Sequence, residues 1–183
     1  DSKTFALIGD PVEGTLSPVM MNAAFKSLGL EHAYVAVRVP ANMLAESVSG
    51  FRAMDIAGLN VTIPHKISII TLLDALDESA AIVGAVNTIK KSRGKLIGFN
   101  TDGAGALRNL ESKFGKVSGK KVLLLGSGGA ARAVAFSMAR AGAELTIANR
   151  TASRARGLAE DIKKKTKFEV KSMAMGRAQL KEA

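Results

Sequence analysis

The sequence predicts an α/β fold made of two successive units, the first of which has a mostly parallel sheet. Short apolar runs alternate along the chain with longer amphipathic stretches. This alternation is typical of strands joined by helices that cover both faces of a parallel sheet. Hydrophobic residues make up 47% of the 183 residues, which is enough for a substantial core.

The first predicted domain covers residues 1–102. We expect strands at residues 4–8, 33–39, 56–63, 85–90 and 96–99, and helices at residues 17–28, 42–54 and 66–76. The first helix carries start and stop signals, with Ser17 as N-cap, Pro18 at the first helical position and Gly29 after its end. The segment KSRG between the last two strands predicts a hairpin.

The second predicted domain covers residues 103–183. We expect helices at residues 103–114, 130–141 and 151–165, and strands in the segments KKVLLLG, ELTIANR and FEVKS. A dinucleotide-binding sheet usually has about six strands, and only three follow Lys120. We therefore expect either a minimal fold or part of a longer one.

Composition excludes several kinds of site. The chain has no cysteine, so disulfides, thiolate metal sites and cysteine nucleophiles are excluded, and the spacing of its two histidines suits no metal cluster. The net charge is +10, with basic residues spread along the chain, but aromatic residues are only 4%, which argues against nucleic-acid binding by base stacking. No apolar run approaches the roughly 20 residues of a membrane span, and no secretory leader is recognisable. We expect a cytoplasmic protein, or a plastid one if its source is a plant.

A glycine-rich turn follows the strand in KKVLLLG. Its six residues fit the pattern G-x-G-x-x-G/A, and they are Gly126, Ser127, Gly128, Gly129, Ala130 and Ala131. Gly126 permits the tight turn, Gly128 lets the backbone approach a pyrophosphate, and Ala131 is small enough for the helix to pack on the strand. An ordinary glycine-rich turn is the alternative. The strand before the turn and the helix after it favour a Rossmann-type dinucleotide site.

The end of the next strand predicts which dinucleotide is bound. NAD sites usually place an acid about 20 residues after the glycines, to hold the ribose 2′-hydroxyl. Here the strand ends in Asn149, Arg150 and Thr151, and Arg154 follows in the first turn of the next helix. Two guanidinium groups suit a 2′-phosphate, so we expect NADP(H), unless both arginines are merely solvated.

Four polar clusters stand at strand ends or helix starts of the first domain. They are Thr15 with Ser17, Asn60 with Thr62 and Lys66, Asn87 with Thr88, and Asn100 with Thr101 and Asp102. Singly, each cluster is more often a turn or a cap than a ligand contact. Ligands of α/β sheets collect at the carboxyl ends of strands, so four such clusters together predict a site for a polyhydroxylated ligand.

Six motifs in this order resemble the shikimate dehydrogenase family. They are PVEGTLSPVMMNAAF, GLNVTIPHK, GAVNTI, GFNTDGAGA, GSGGAARA and NRTASRA. The resemblance implies NADPH-dependent, reversible reduction of 3-dehydroshikimate to shikimate without a metal. It implies Lys66 and Asp102 as the catalytic pair and assigns Thr15 and Ser17 to the substrate carboxylate. It also assigns the ring hydroxyls to Asn60, Thr62, Asn87 and Asp102, and the NADP site to residues 126–131 with Asn149, Arg150, Thr151 and Arg154.

The sequence departs from the family pattern in places, which leaves alternatives open. The first motif reads Gly14-Thr15-Leu16-Ser17 where the family usually has His-Ser-x-Ser, and Met21 replaces a common histidine. A preference for quinate is therefore an alternative. Family members also extend well beyond residue 183, so a catalytically incomplete fragment that binds NADP or shikimate is another. We expect a monomer or homodimer, possibly fused to an upstream pathway enzyme.

Overall fold

The computed structural model describes residues 2–176. The chain divides into two compact units, Asp1–Asn100 and Thr101–Ala183. Both are α/β, and the predicted fold class is confirmed. Basic residues occur along the whole chain, but the net charge is not spread evenly. Residues 1–100 carry nine basic and nine acidic side chains, whereas residues 101–183 carry 17 basic and seven acidic ones. The whole net charge therefore belongs to the second unit.

The first unit is built on a six-stranded sheet of order β2-β1-β3-β5-β6-β4. Its strands are β1 (Thr4–Gly9), β2 (Ala33–Arg38), β3 (Ile56–Val61), β4 (Ala75–Leu76), β5 (Thr88–Ser92) and β6 (Lys95–Phe99), and its helices are α1 (Ser17–Ser27), α2 (Leu44–Ala53) and α3 (Glu78–Val83). Strand β1 runs parallel to β2 and β3, and β4 runs parallel to β6. Strand β5 forms the predicted hairpin with β6, and it is also antiparallel to its other neighbour, β3.

The two faces of this sheet differ in chemistry. Side chains alternate along a strand, so Ala6, Ile8, Leu59 and Val61 share one face, where they are buried with α2 in the main apolar cluster. The intervening residues, Phe5 and Asn60 among them, face the other way. On that face Phe5 packs against the rings of Phe25 and His32, with centroids 5.6 and 5.7 Å away. Helix α1 thus covers the face that carries Asn60.

The predicted helix at residues 66–76 is wrong. A 3₁₀ helix occupies Ser68–Leu72, and the chain then extends into β4. The run Ser-Ile-Ile-Thr has a low helix propensity because β-branched residues lose side-chain freedom in a helix. The carboxylate of Asp74 then accepts hydrogen bonds from the Leu96 N–H at 2.7 Å and from Arg52 at 2.6 Å, which hold the segment beside β6.

Three further differences concern a helix cap, a short helix and a strand. Helix α1 begins at Ser17 with Leu16 in the N-cap position, so Ser17 is not the predicted cap. Helix α3 was not predicted, although Asp77 caps it by accepting from the Ser79 N–H at 2.9 Å. The last strand was expected in FEVKS, at residues 168–172, but β9 spans Lys171–Ala174 because its register pairs it with the second half of β8.

The second unit has a three-stranded parallel sheet of order β7-β8-β9. Its remaining elements are α4 (Asp102–Phe114), β7 (Lys121–Leu125), α5 (Gly129–Arg140), β8 (Glu144–Asn149) and α6 (Ala152–Thr166). Leu145 and Ile147 of β8 are buried, as are Phe136 of α5 and Ile162 of α6. On β7, by contrast, Leu125 remains 56% exposed. Within residues 2–176, no helix is long and apolar enough to cross a membrane.

Candidate active site

Thr15 and Ser17 stand at the entry to α1, after the carboxyl end of β1. The Thr15 hydroxyl lies 3.2 Å from the Ser17 hydroxyl and accepts the Ser17 N–H at 3.3 Å. The cap-like contact that we expected of Ser17 therefore belongs to Thr15. Both residues are half-buried, and they present two hydroxyl oxygens beside a helix N-terminus, an arrangement suited to a carboxylate.

Asn60 and Asn87 are brought into direct contact. The Asn60 side-chain nitrogen donates to the Asn87 backbone oxygen at 3.2 Å and to the Thr88 hydroxyl at 3.1 Å. The Thr88 hydroxyl donates in turn to Asn87 Oδ1 at 2.9 Å. Asn87 is only 8% exposed, and its backbone connects β3 with β6. Its oxygen accepts from the Val61 N–H, and its N–H donates to the Phe99 backbone oxygen.

Thr62 extends the β3 ladder beyond the strand itself. Its N–H donates to the Ile8 oxygen at 2.9 Å. Its methyl group fills the space beside Gly9, where a Cβ would lie 2.3 Å from Thr62 Cγ2. Gly9 is therefore required for β1 and the end of β3 to lie side by side at this point. Asn60 and Thr62 are two residues apart, so the alternation of side chains along β3 puts them on one face.

Lys66 follows a turn that is anchored at both ends. The His65 N–H donates to the Thr62 oxygen at 3.0 Å, and the Val86 N–H donates to the Lys66 oxygen at 2.7 Å. His65 is 1% exposed, and its Nε2 lies 2.6 Å from the Val39 oxygen. The backbone of Lys66 is thus fixed next to the residue that precedes Asn87. Lys66 itself is half-buried.

The cluster of Asn100, Thr101 and Asp102 is divided between the two units. Asn100 is buried, and its side chain donates to the Ala85 oxygen at 2.9 Å while its N–H donates to the Ser79 hydroxyl. It therefore ties α3 to the sheet. Asp102 is the first residue of α4 and belongs to the second unit, whereas Lys66 belongs to the first.

The glycine turn has the geometry that a phosphate site needs. Gly126 adopts a φ of 109°, which residues other than glycine rarely adopt. Its N–H donates to the Ala148 oxygen at 2.8 Å. Gly128 occupies the N-cap position of α5, and no heavy atom lies within 4 Å of where its Cβ would stand. A phosphate therefore has open access to the N-terminus of this helix.

The arginines predicted to select NADP lie at the same edge of the sheet. Asn149 ends β8, and its side chain donates to the Thr151 oxygen at 3.0 Å. Thr151 precedes α6, and both Arg150 and Arg154 are exposed. Because the Gly126 N–H bonds to Ala148, the turn and these arginines stand beside each other in the second unit, and together they fit a phosphorylated dinucleotide.

Sequence reasoning missed Tyr34. This residue is 3% exposed, and its hydroxyl donates to Asn60 Oδ1 at 2.7 Å. Burial raises the pKa of Tyr34 above its usual value. Asn22 of α1 holds the Tyr34 backbone, accepting from its N–H at 2.8 Å and donating to its oxygen at 2.9 Å. A buried tyrosine needs a partner for its hydroxyl, which was the available signal.

A cavity of about 730 Å³ also occurs in the second unit. It lies around the amino ends of the strands, among Lys121, Glu144 and Lys171, and so at the opposite end from the glycine turn. None of the predicted site residues lines it. Among residues 2–176, no group of three or more acidic or histidine side chains is placed to hold a metal ion.

Known proteins share both units. The family model for the shikimate dehydrogenase substrate-binding domain matches residues 7–89, and the model for shikimate/quinate 5-dehydrogenase matches residues 108–183. A relative from Methanopyrus kandleri, named shikimate dehydrogenase (NADP(+)), is 52% identical over 178 residues, which are 96% of this chain and 61% of the relative. A second relative, from Methanocaldococcus jannaschii, has the same name. It is 50% identical over 164 residues, which are 90% of this chain and 58% of the relative.

Solved structures agree with these matches. A shikimate dehydrogenase in complex with NADP⁺ superposes with a TM-score of 0.90 at 48% identity, covering 93% of this chain and 60% of its own. A 5-ketofructose reductase from a Gluconobacter species gives 0.87 at 39% identity, covering 96% and 64%. The chain spans about 60% of the length of the curated relatives that it matches. Because the family's models match within both units and its members are about half identical to it, the chain belongs to the shikimate dehydrogenase family.

Proposed function

We propose that this chain supplies the substrate-binding unit and part of the NADP-binding unit of an enzyme that reversibly reduces 3-dehydroshikimate to shikimate with NADPH. The observation that carries the proposal is the contact between Asn60 and Asn87 at the end of β3, with Lys66 held in the adjoining turn. Polar side chains that converge there suit a small polyhydroxylated ring. The names of the relatives support both the substrate and the cofactor.

The proposed chemistry assigns each residue of the first unit a task. Thr15 and Ser17 bind the carboxylate, while Asn60, Thr62 and Asn87 bind ring hydroxyls. When bound, NADPH supplies a hydride to the ring carbonyl. The Lys66 ammonium stabilises the developing alkoxide and gives it a proton, and the Asp102 carboxylate orients Lys66 and accepts a ring hydroxyl.

The second unit is proposed to select NADP over NAD. Residues 126–131 receive the pyrophosphate at the N-terminus of α5, and the guanidinium groups of Arg150 and Arg154 bind the 2′-phosphate. The open space at Gly128 and the exposure of both arginines support this assignment. The end of β8, at residues 149–151, carries no acid to hold a free 2′-hydroxyl.

Two other substrates compete with 3-dehydroshikimate. Quinate is retained because of Thr15 and because one matching family model is named for both substrates. A second candidate, 5-ketofructose, comes from the structural neighbour that bears its name. It has no carboxylate, so the hydroxyl pair of Thr15 and Ser17 favours shikimate over it.

Binding to the 183-residue chain tests the proposal directly. Shikimate, quinate and 5-ketofructose are titrated into isotope-labelled chain, and the amide NMR signals of residues 15–17, 60–62 and 87–88 are followed. We expect shikimate to shift these signals at the lowest concentration. Tighter binding of 5-ketofructose, or no response to shikimate, contradicts the proposal. A Thr15→Val, Ser17→Ala variant should lose affinity for shikimate but not for 5-ketofructose.

Turnover separates an enzyme from a binding fragment. NADPH oxidation with 3-dehydroshikimate is measured for the 183-residue chain and for a hybrid in which the remainder of the Methanopyrus kandleri relative follows residue 183. We expect negligible turnover from the chain and measurable turnover from the hybrid. Full activity of the chain alone contradicts the fragment alternative. The oligomeric state, the fusion to an upstream enzyme and the cytoplasmic location stay predictions.

A further inference from the structure

Tyr34 joins three elements of the first unit. Its side-chain hydroxyl reaches Asn60 of β3, and its backbone N–H and oxygen are both held by Asn22 of α1. Helix α1 also begins at the hydroxyl pair of Thr15 and Ser17. Through Tyr34, the residues proposed to bind the carboxylate are therefore linked to those proposed to bind the ring hydroxyls.

The directions of the hydrogen bonds that Asn60 makes follow from one backbone group. The Asn87 backbone oxygen can only accept, so the Asn60 atom beside it must be the amide nitrogen. The second hydrogen of that nitrogen is donated to the Thr88 hydroxyl, and this hydroxyl donates a hydrogen bond to Asn87 Oδ1. Asn60 Oδ1 must then accept from Tyr34. The raised pKa of Tyr34 keeps its hydroxyl protonated, and so a donor, at neutral pH.

Both amide hydrogens of Asn60 are thus used inside the protein, and Tyr34 occupies one of the two lone pairs on Oδ1. The half-buried Asn60 can offer a ligand one acceptor and no donor. We propose that Tyr34 is a positioning residue that, together with the Asn87 backbone oxygen and the Thr88 hydroxyl, holds Asn60 as an acceptor-only contact, so that the site selects a ligand hydroxyl and rejects a keto or ether oxygen at that position. This inference rests on the proposed function, because it takes Asn60 as a ligand contact.

The arrangement orients a substrate that carries one keto group among several hydroxyls. A hydroxyl satisfies Asn60 Oδ1, whereas a keto oxygen there would place two acceptors face to face and leave both unpaired. Sites that hydrogen-bond a hydroxyl discriminate strongly against analogues that lack it. The ring consequently binds with its keto group away from Asn60.

Fluorinated analogues test this proposal, because fluorine resembles a hydroxyl in size but cannot donate. Shikimate and three analogues, each with one ring hydroxyl replaced by fluorine, are titrated into the 183-residue chain by NMR. We expect the analogue that lacks the hydroxyl read by Asn60 to bind at least about tenfold more weakly than shikimate. In Tyr34→Phe, the Asn60 amide loses the contact that holds its oxygen in place. The amide can then turn and offer its nitrogen to a ligand, so this ratio should fall to about threefold or less.

A second variant and a control complete the design. Thr88→Val releases one Asn60 hydrogen for donation to a ligand and should also lower the ratio, whereas Thr166→Val removes a hydroxyl in the second unit and should not. A merely structural role for Tyr34 would weaken all four ligands equally, and an unchanged ratio in Tyr34→Phe therefore overturns the inference alone. A wild-type chain that does not bind shikimate at all overturns the proposed function as well.

Discussion

Gly103 of α4 lies so close to Ala133 of α5 that a Cβ on Gly103 would stand 2.3 Å from the Ala133 carbonyl oxygen. The hydroxyl of Ser137 would be equally close. Only glycine allows the two helices to approach in this way. Asp102 immediately precedes Gly103, so the contact also fixes the backbone beside the predicted catalytic Asp102 within its own unit.

Gly103→Ala should therefore destabilise the protein by about 1–3 kcal/mol, because the added methyl group meets backbone that cannot move aside. Gly105→Ala is the matched control, since a Cβ there meets nothing within 4 Å. It should stabilise the helix by about 0.5–1 kcal/mol. Denaturant unfolding of both variants measures the difference. Equal effects would mean that α4 and α5 do not pack as described.

Cofactor choice is predicted to depend on Arg150. Arg150→Ala should weaken NADPH binding by about 10- to 100-fold through the loss of a charge-assisted contact, while NADH binding changes little. Arg156→Ala is the control, because Arg156 is also exposed but lies about 200° around α6 from Arg154. Nucleotide titrations followed by fluorescence provide the measurement. A loss that is the same for both nucleotides would show that Arg150 does not read the 2′-phosphate.

Lys66 is predicted to supply the proton. Lys66→Met in the active hybrid should lower kcat by about 10²–10⁴-fold, the usual range for a positioned acid or base, with a much smaller change in KM. Asp102→Asn should lower kcat and also weaken substrate binding. Because the two residues are expected to act as a unit, the double variant should be little worse than Lys66→Met. If Lys66→Met changes KM alone, Lys66 only binds substrate and another group donates the proton.

The carboxylate of Asp74 predicts a pH-dependent contribution to stability. The pKa of Asp74 lies below the usual value of about 3.9. The main cause is the hydrogen bond that its carboxylate accepts from Arg52, and the second is the one that it accepts from the Leu96 N–H. A lowered pKa stabilises the folded state above about pH 4, and the contribution is lost as the pH falls through the folded-state value. Asp74→Asn should therefore lower Tm at pH 7, with the difference shrinking below about pH 4. Asp55→Asn, at an exposed carboxylate, serves as control.

Most of the fold was predictable because its signals are local. Short apolar runs identified β1, β2 and β3, and the glycine turn with its flanking strand and helix identified the start of the second unit. The segment 66–76 failed for the opposite reason. Its extended end depends on Asp74 reaching the Leu96 N–H and Arg52, and nothing near Asp74 in the sequence indicates those partners.

The candidate site was predictable only in part. A spacing of two residues places Asn60 and Thr62 on one face, and the structure adds that Asn60 and Asn87 touch. Tyr34 and Asn22 were missed because their importance arises from contacts across 26 and 12 positions of sequence, between elements whose packing the sequence does not state. The roles assigned to the site residues remain predictions that the variants above address.

Tyr34 is the only tyrosine in a chain that has no tryptophan. The near-ultraviolet fluorescence of the protein therefore comes from a phenol that is hydrogen-bonded to Asn60. Phenol emission responds to the partner of its hydroxyl and to the surrounding polarity. The polar cluster thus contains its own optical reporter, and a ligand that reaches Asn60 can be followed without an attached dye.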